Sequence, residues 1–227
     1  MTKRSKRYQE ALSKIDKTKL YPIEEAIKLV KDTTKTKFDS SMEVHIRLGI
    51  DTKKADQMVR GTVSLPHGLG KERKIIAFVT TAKEKVAKDA GADIIGDESV
   101  IKKIKETKKC DFDIAVAEPA LMKNLSQVAK IMGQKGLMPN PKTETISQDI
   151  SKMISELKGG KVMFRSDDSG NVHQMIGKSS FDEQKLKENY QAFLEAVKKS
   201  KPEGMKGTYI LSIHLSSSMG PSVKVSL

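Results

Sequence analysis

The apolar residues near the start of this chain recur at helical spacing. Behind Pro22 they lie three and four positions apart, and proline is tolerated there because the first turn of a helix leaves its amide hydrogens unpaired. These apolar residues are Ile23, Ala26, Ile27 and Val30. Over residues 42–50 the period changes to two, which predicts a half-buried strand with one polar face. A shorter strand is predicted at residues 61–65 and ends where proline and glycine fill residues 66–70, a first domain boundary.

The middle of the chain alternates short apolar runs with helix-length segments. The predicted pairs of strand and helix are residues 75–79 with 83–90, 92–95 with 99–107, and 114–116 with 121–132. Strands that alternate with helices indicate crossover units and a parallel sheet covered on both faces. A last apolar helical stripe runs from Ile146 to Leu157, and Gly159 and Gly160 follow it as a helix stop and second boundary.

Antiparallel features return after residue 160. Residues 162–165 and 172–176 around a turn at 168–171 predict a hairpin, and strands are predicted at 208–215 and 223–225. Between them, Leu186, Tyr190 and Phe193 share one face of a helix. We therefore predict an α/β protein with two domains. Residues 1–66 and 159–227 form a discontinuous α+β host domain with an antiparallel sheet and two helices, and residues 67–158 form an inserted Rossmann-like domain of three layers.

Charge separates these two regions. The formal net charge is +13, with 15 basic against 9 acidic residues in 1–66, 17 against 13 in 67–158 and 10 against 7 in 159–227. The two host segments together carry +9 and the insert +4. A basic host domain favours a polyanionic partner, and nucleic acid is the first to consider.

Composition narrows the way in which such a partner is bound. Aromatic residues make up 4% of the chain and tryptophan is absent, so contacts to backbone and shape are favoured over stacking of many bases. The single cysteine, Cys110, cannot form an intrachain disulfide, and no apolar run suits a membrane span or a signal peptide. We expect a soluble cytoplasmic protein without a membrane partner. The basic residues 3–7 are either a binding arm or a solvated terminus.

Motifs for catalysis or for cofactors are weak. Residues 68–71 lack the glycine spacing and Lys-Ser/Thr pair of a phosphate loop, so we interpret them as a connector. Residues 133–136 match the GXXG loop of KH domains, but the prolines at 139 and 141 forbid the helix that must follow. The histidines are scattered without acidic or cysteine partners at metal-ligand spacing. We predict no cofactor and no metal.

Two polar segments are the candidates for RNA contact. Residues 37–41 place Phe38 in a polar turn before the predicted strand, and residues 216–221 supply three hydroxyls and a glycine. Short hydroxyls and open backbone suit a close approach to phosphates and 2′-hydroxyls. An ordinary buried anchor and an ordinary loop are the alternatives.

Four stretches in order along the chain resemble one known family, the bacterial large-subunit ribosomal protein L-one family. They are residues 38–44, 48–68, 136–142 and 218–221. The resemblance implies a host domain that binds 23S ribosomal RNA and shapes the mobile stalk near the tRNA exit site, where the protein assists release of deacylated tRNA. It also implies that the protein represses translation by binding the leader of its own operon mRNA. The implied partners are these three RNAs, and the free protein is expected to be a monomer.

The resemblance also implies which residues contact RNA and which move. The implied contacts are Lys37, Phe38, Ser41, Glu43, Ser212, Ser217, Ser218, Met219 and Gly220, and we add the host-domain cations Lys161, Arg165 and Lys178. The implied hinge consists of Pro66, Gly68, Gly159 and Gly160. The chain departs from the family pattern at Gln134, Lys135 and Glu144, and serine replaces threonine at positions 41 and 218, which keeps the hydroxyl.

Two other classes of function remain as alternatives. A nucleotide-dependent enzyme built on the insert lacks the glycine fingerprint that binds the phosphates of a dinucleotide. A protein-interaction module does not need a host domain with a net charge of +9. The sequence therefore favours an RNA-binding protein that is not an enzyme.

Overall fold

The fold was analysed in a computed structural model, which describes residues 5–71, 73–205 and 207–226. Lys3 and Arg4 of the basic N-terminal segment lie outside the described residues. The α-helices are α1 (Lys6–Ser13), α2 (Ile23–Thr33), α3 (Glu84–Asp89), α4 (Glu98–Thr107), α5 (Met122–Leu125), α6 (Ala129–Gln134), α7 (Ile150–Lys158) and α8 (Glu183–Lys199). The strands are β1 (Ser41–Leu48), β2 (Arg60–Ser64), β3 (Ile75–Phe78), β4 (Ile94–Ile95), β5 (Ile114–Ala117), β6 (Lys161–Arg165), β7 (Asn171–Lys178), β8 (Ile210–Ser217) and β9 (Val223–Val225).

The chain folds into two compact units, and one of them is discontinuous. The discontinuous unit comprises Met1–Gly70 and Val162–Leu227, and the other comprises Lys71–Lys161. The sequence analysis placed the domain boundaries after residues 66 and 158. In the structure both boundaries fall a few residues later, after Gly70 and after Lys161. The assignment of RNA binding to the discontinuous unit stays a prediction.

The discontinuous unit is built on a four-stranded antiparallel sheet in the order β7-β1-β8-β9. The predicted alternation of β1 is present: Met42, Val44 and Ile46 are fully buried, and the residues between them are half-buried or exposed. The apolar face joins one core with Ile27 of α2 and Phe193 of α8. The opposite face of the sheet is therefore polar.

Two features of this unit differ from the sequence prediction. The hairpin predicted from residues 162–176 is wrong, because β6 pairs with β2 while β7 pairs with β1. Among the described residues, the two segments are joined by one isolated bridge, Ser166 to Val172, and by the turn that follows it, where the Asp167 amide donates to the Asn171 carbonyl at 2.8 Å. Ser166 instead fastens β6 towards β2, since its amide donates to the Val59 carbonyl at 2.9 Å and its hydroxyl accepts from the Val59 amide at 3.1 Å. A third helix, α1, precedes the two predicted ones.

The continuous unit has three layers around a parallel sheet in the order β4-β3-β5. One apolar cluster packs α3 and α7 against one face, and a second packs α4 to α6 against the other. The predicted α/β class is thus confirmed. The helix predicted at residues 121–132 is broken by a 3-10 turn at Ser126–Val128, and Ile146 forms a bridge with Ala117 before α7 begins.

The first of the predicted hinge segments is hydrogen-bonded to the discontinuous unit. Gly68 has a φ of 60° and its amide donates to the Leu65 carbonyl at 3.1 Å, which closes a turn around Pro66. Asn189 of α8, fully buried, donates to the Gly68 carbonyl at 3.0 Å and accepts from the His67 amide at 3.1 Å. The side-chain nitrogen of Asn189, Nδ2, also donates to the Ile176 carbonyl at 2.7 Å. One side chain therefore fixes the start of this connection.

The second predicted hinge segment terminates α7. The Gly159 amide donates to the Ser155 carbonyl at 2.8 Å, and Gly160 adopts a φ of 101°, a conformation that favours glycine. The role of Pro66, Gly68, Gly159 and Gly160 as a hinge stays a prediction.

We expect Asn189→Ala to lower the free energy of unfolding by about 2 to 4 kcal/mol, because it leaves one buried and two partly buried backbone groups without their partners. Urea denaturation measures the change. Gln191→Ala is the matched control, since Gln191 is exposed on the same helix and should change stability by less than about 0.5 kcal/mol. Equal effects of the two substitutions would contradict the role given to Asn189.

Candidate nucleic-acid interface

The segment before β1 is held in place by Asp39. Its carboxylate accepts hydrogen bonds from the Ser179 hydroxyl at 2.8 Å, and from the amide and hydroxyl of Ser180 at 3.1 and 2.7 Å. Burial raises the pKa of Asp39, but these hydrogen bonds outweigh it and hold that pKa below its ordinary value. Phe38, beside this anchor, remains 56% exposed. A fixed backbone thus presents a phenyl ring to solvent.

The loop between β8 and β9 joins the same surface. The Ser218 amide donates to the Ser41 carbonyl at 3.0 Å, and the Ser218 hydroxyl donates to a carboxylate oxygen of Glu43 at 3.2 Å. Met219 has a φ of 64° and is 71% exposed. The left-handed backbone at a non-glycine residue costs free energy, and such strain is common at binding sites. The loop therefore holds Met219 in the open beside the start of β1.

A lysine and a serine on neighbouring strands extend this surface. Lys178 lies opposite Ser41 in the register of β7, and its Nζ donates to the Asp39 carbonyl at 3.3 Å and to the Ser41 hydroxyl at 3.4 Å. Ser212 lies opposite Arg47, on the polar face of the sheet but further along it. The structure thus gathers most of the predicted contacts on one side of the discontinuous unit. They are Lys37, Phe38, Ser41, Glu43, Lys178, Ser212, Ser218, Met219 and Gly220.

Ser217 is among the RNA contacts that the family resemblance implies, but its side chain is buried. It is 3% exposed, and within the described ranges its hydroxyl has no hydrogen-bond partner. It lies in a narrow crevice with Arg7 of α1, whose Nη1 donates to the Lys35 carbonyl at 3.0 Å. A Cβ added to Gly220 would lie 2.3 Å from the Ser217 hydroxyl. Ser217 therefore supports the loop from below, and Gly220 is required by close packing.

Lys161 and Arg165 lie on other elements than the rest of the predicted contacts. Lys161 belongs to the continuous unit, where its Nζ lies between the carboxylates of Glu144 and Glu156 and its side chain is 15% exposed. Burial lowers the pKa of Lys161, but the hydrogen bonds to Glu144 and Glu156 outweigh it and raise that pKa. Arg165 ends β6 in the separate two-stranded sheet. We leave both residues out of the proposed contacts.

The same pairing explains Glu144, where the chain departs from the family pattern. Glu144 has a φ of 53°, a conformation that glycine adopts without strain. Its carboxylate is hydrogen-bonded to Lys161, which offsets part of that strain.

Sequence patterns did not reveal that three histidines share the polar face of the sheet. The register places His45 opposite His173 on one side and opposite His214 on the other. The alternation of β1 predicts only that His45 faces outwards, because the strands that pair with it are far away in the chain.

The described ranges hold neither a metal-binding cluster nor a membrane-spanning helix. No group of three or more histidine, cysteine or acidic side chains there is arranged to hold a metal ion. Within the same ranges, no helix has the length and apolar character needed to cross a membrane. Cys110 is a free thiol.

Comparison with known proteins gives consistent matches over nearly the whole chain. The profile of the ribosomal protein L1p/L10e family matches residues 30–221. Large ribosomal subunit protein uL1 of Mycoplasma capricolum is 49% identical over 99% of both chains. The protein of the same name from Thermobifida fusca is 48% identical over 98% of this chain and 94% of its own. That of Mycolicibacterium vanbaalenii is 49% identical over 99% of this chain and 95% of its own.

We expect Ser218→Ala to weaken binding to the stalk segment of 23S ribosomal RNA by about tenfold, since a buried hydrogen bond lost at an interface costs roughly 1 to 3 kcal/mol. Gly220→Val should weaken binding more, because its side chain collides with Ser217 and displaces the loop. Filter binding measures both affinities after thermal melting has shown that the variants fold.

The matched controls are Ser64→Ala and Gly204→Val. Ser64 is exposed on β2, and a Cβ at Gly204 would meet nothing within 4 Å. Both should bind like the parent. If Ser218→Ala and Gly220→Val also bind like the parent, the β8–β9 loop does not contact RNA.

Proposed function

The chain belongs to the ribosomal protein L1p/L10e family, and we propose that it is a structural protein of the large ribosomal subunit that binds 23S ribosomal RNA. It is a ribosomal protein and not an enzyme, so the alternative of a nucleotide-dependent enzyme is set aside. The proposed contact surface consists of residues 37–40 before β1, Ser41 and Glu43 at the start of β1, Lys178 at the end of β7, and residues 218–220 of the β8–β9 loop. We name it the β1 edge surface.

One observation carries this proposal: hydrogen bonds join the segments of the β1 edge surface into a fixed frame, while side chains suited to contact RNA stay exposed. Ser41 and Glu43 bond to Ser218, and Asp39 bonds to the residues after β7, so three chain segments are joined. Phe38 and Met219 are exposed on either side of the frame. An exposed aromatic ring can stack on a base, and hydroxyls beside open backbone can bond 2′-hydroxyls and phosphates. A surface that is rigid before binding loses little entropy on binding.

The charge distribution supports the same proposal. Lys37 and Lys178 both belong to the β1 edge surface, and the discontinuous unit carries +8 of the formal net charge of +13. Cations near RNA phosphates release condensed counterions, which favours association and makes it depend on salt. The acidic Glu43 at the centre is bonded to Ser218 and is suited to accept from a base or a 2′-hydroxyl.

Three finer roles follow from the family resemblance and are part of the proposal. The bound protein would form the mobile stalk near the tRNA exit site and would assist release of deacylated tRNA. The same β1 edge surface would bind the leader of the operon mRNA and repress translation. Rotation at the two connections that contain Pro66 and Gly68, and Gly159 and Gly160, would let the stalk protein change shape.

Salt dependence tests the RNA proposal directly. We expect the affinity for the 23S stalk segment to fall steeply with salt, and Lys37→Ala to reduce the slope of log K against log salt by about 0.7 to 1. Lys198→Ala is the control, because Lys198 is exposed on α8, which packs on the opposite face of the sheet. Affinity that does not change with salt would contradict the proposal. Equal slopes for the two variants would remove Lys37 from the surface.

Competition tests whether one surface serves both RNAs. We expect the 23S stalk segment to displace a labelled mRNA leader from the full chain, and Ser218→Ala to weaken both complexes by a similar factor of about ten. Gel-shift titration measures both. Simultaneous binding of the two RNAs would show that the leader uses another surface.

A further inference from the structure

Three of the four histidines of the chain form a row across the polar face of the sheet. His173 of β7 lies opposite His45 of β1, and His45 lies opposite His214 of β8. His214 in turn lies opposite Lys224 of β9. Residues directly opposite each other on neighbouring strands are about 4.5 to 5.5 Å apart, so the side chains of the row adjoin one another. Each of the four strands of the sheet thus contributes one side chain with a basic nitrogen to the row.

Hydrogen bonds connect one half of the row. Nδ1 of His45 and Nδ1 of His173 are 2.8 Å apart, and Nε2 of His45 is 2.9 Å from the hydroxyl of Ser216. Nε2 of His173 is 3.4 Å from a carboxylate oxygen of Asp167. When both rings are neutral, all three contacts can be hydrogen bonds only if every donor points the same way along the series from Ser216 to Asp167. Ser216 donates to His45, His45 donates to His173, and His173 donates to Asp167.

This arrangement can accept one proton without losing a hydrogen bond. A proton added at Nε2 of His45 turns the Ser216 hydroxyl into an acceptor, and the bond from His45 to His173 is kept. A second proton, at Nδ1 of His173, would bring two N–H groups into opposition across 2.8 Å. The His45–His173 pair therefore has a capacity of one proton.

The surroundings of His45 and His214 disfavour the charged form of both imidazoles in the free protein. Burial is the largest cause that lowers the pKa of His45. The neighbouring rings of His173 and His214 lower it further, and the nearby carboxylate of Glu43 opposes them. The net pKa of His45 lies below its ordinary value of 6.5. Burial and the charge of Lys224 lower the pKa of His214. The charged groups around the row are Glu43, Arg47, Asp167, Lys178 and Lys224.

We propose that this histidine row binds RNA phosphate and that binding draws a proton onto the His45–His173 pair, so that RNA affinity rises as pH falls. The proposal rests on the RNA-binding function proposed above and extends its surface. The row is continuous with the β1 edge surface, because Glu43 lies two residues before His45 on the same face and bonds to Ser218. RNA seated at Ser218 and Glu43 would therefore run onto the imidazoles.

Linkage fixes the sign of the effect. A phosphate beside the pair favours the charged imidazole and raises its pKa in the complex above that in the free protein. Binding then takes up a proton at every pH between the two values, and affinity increases as pH falls through that window. Once His45 is protonated, the Ser216 hydroxyl accepts from it and is free to donate its own hydrogen to a phosphate, and the Lys224 ammonium supplies donors at the other end of the row.

The first test is the affinity for the 23S stalk segment as a function of pH at constant salt. We expect binding about tenfold tighter at about pH 5.5 than at about pH 8, which corresponds to a rise of one pKa unit on binding. His45→Gln and His173→Gln should flatten this dependence, since glutamine keeps hydrogen-bonding groups but takes no proton. The control is His67→Gln, because His67 bonds to Glu188 away from the row and should leave the dependence unchanged.

The second test counts the protons. Calorimetric titration in buffers of different ionisation enthalpy should show a maximum uptake of about half a proton per complex, at the pH midway between the two pKa values, and much less for His45→Gln. Thermal melting confirms first that each variant is folded.

Tight binding that is independent of pH, without proton uptake, would overturn the proposal and leave the RNA-binding function intact. A pH dependence that His45→Gln and His173→Gln retain would overturn it too, because the proton would then bind elsewhere. Failure of the parent chain to bind RNA at any pH would instead overturn the proposed function, and this inference with it.

Discussion

Strand β1 lies between β7 and β8 and must satisfy two environments at once. Every second residue enters the apolar core with α2 and α8, and the residues between them face away from it. Because the period of a strand is two, a slip by one residue would bury Glu43 and His45 and expose Met42 and Val44. Burial of a charged or polar side chain without partners costs several kcal/mol, so the core fixes the register. The position of the proposed RNA surface follows from that register.

Hydrogen bonding then shapes the ends of the strands. Asp39 ties the segment before β1 to the turn after β7, and Ser218 ties the β8–β9 loop to both Ser41 and Glu43. These bonds involve groups that would otherwise be solvated, so their net contribution to stability is modest. Under the proposed function their effect on binding is larger, because they order Phe38 and Met219 before a partner arrives.

Local pattern and long-range pairing account for different parts of the structure. Helix α2 and strand β1 follow from apolar periodicity, which is a property of neighbouring residues. The hairpin prediction fails because the choice between β2 and β7 as partners of β6 depends on Ser166 and Val59, which are far apart in the chain.

The same distinction holds within the candidate interface. Hydroxyls and glycine in residues 216–221 indicate the loop, and the family resemblance supplies Lys37, Phe38 and Glu43. Nothing local shows that the Ser217 hydroxyl is buried, that Lys161 is paired with two carboxylates, or that His173 and His214 flank His45. Each of these facts depends on residues brought together only by the complete sheet.

The discontinuity of the domain is compatible with this dependence on a complete sheet. The continuous unit enters after β2 and leaves at β6, and these two strands pair with each other. Because the entropy of closing a loop grows only slowly with its length, a folded insertion between paired strands adds little cost to the closure of the host sheet. The β1 edge surface and the histidine row both lie wholly in the discontinuous unit. The proposed RNA recognition and the geometry of the insert can therefore vary independently, provided that β8 and β9 complete the sheet against β1.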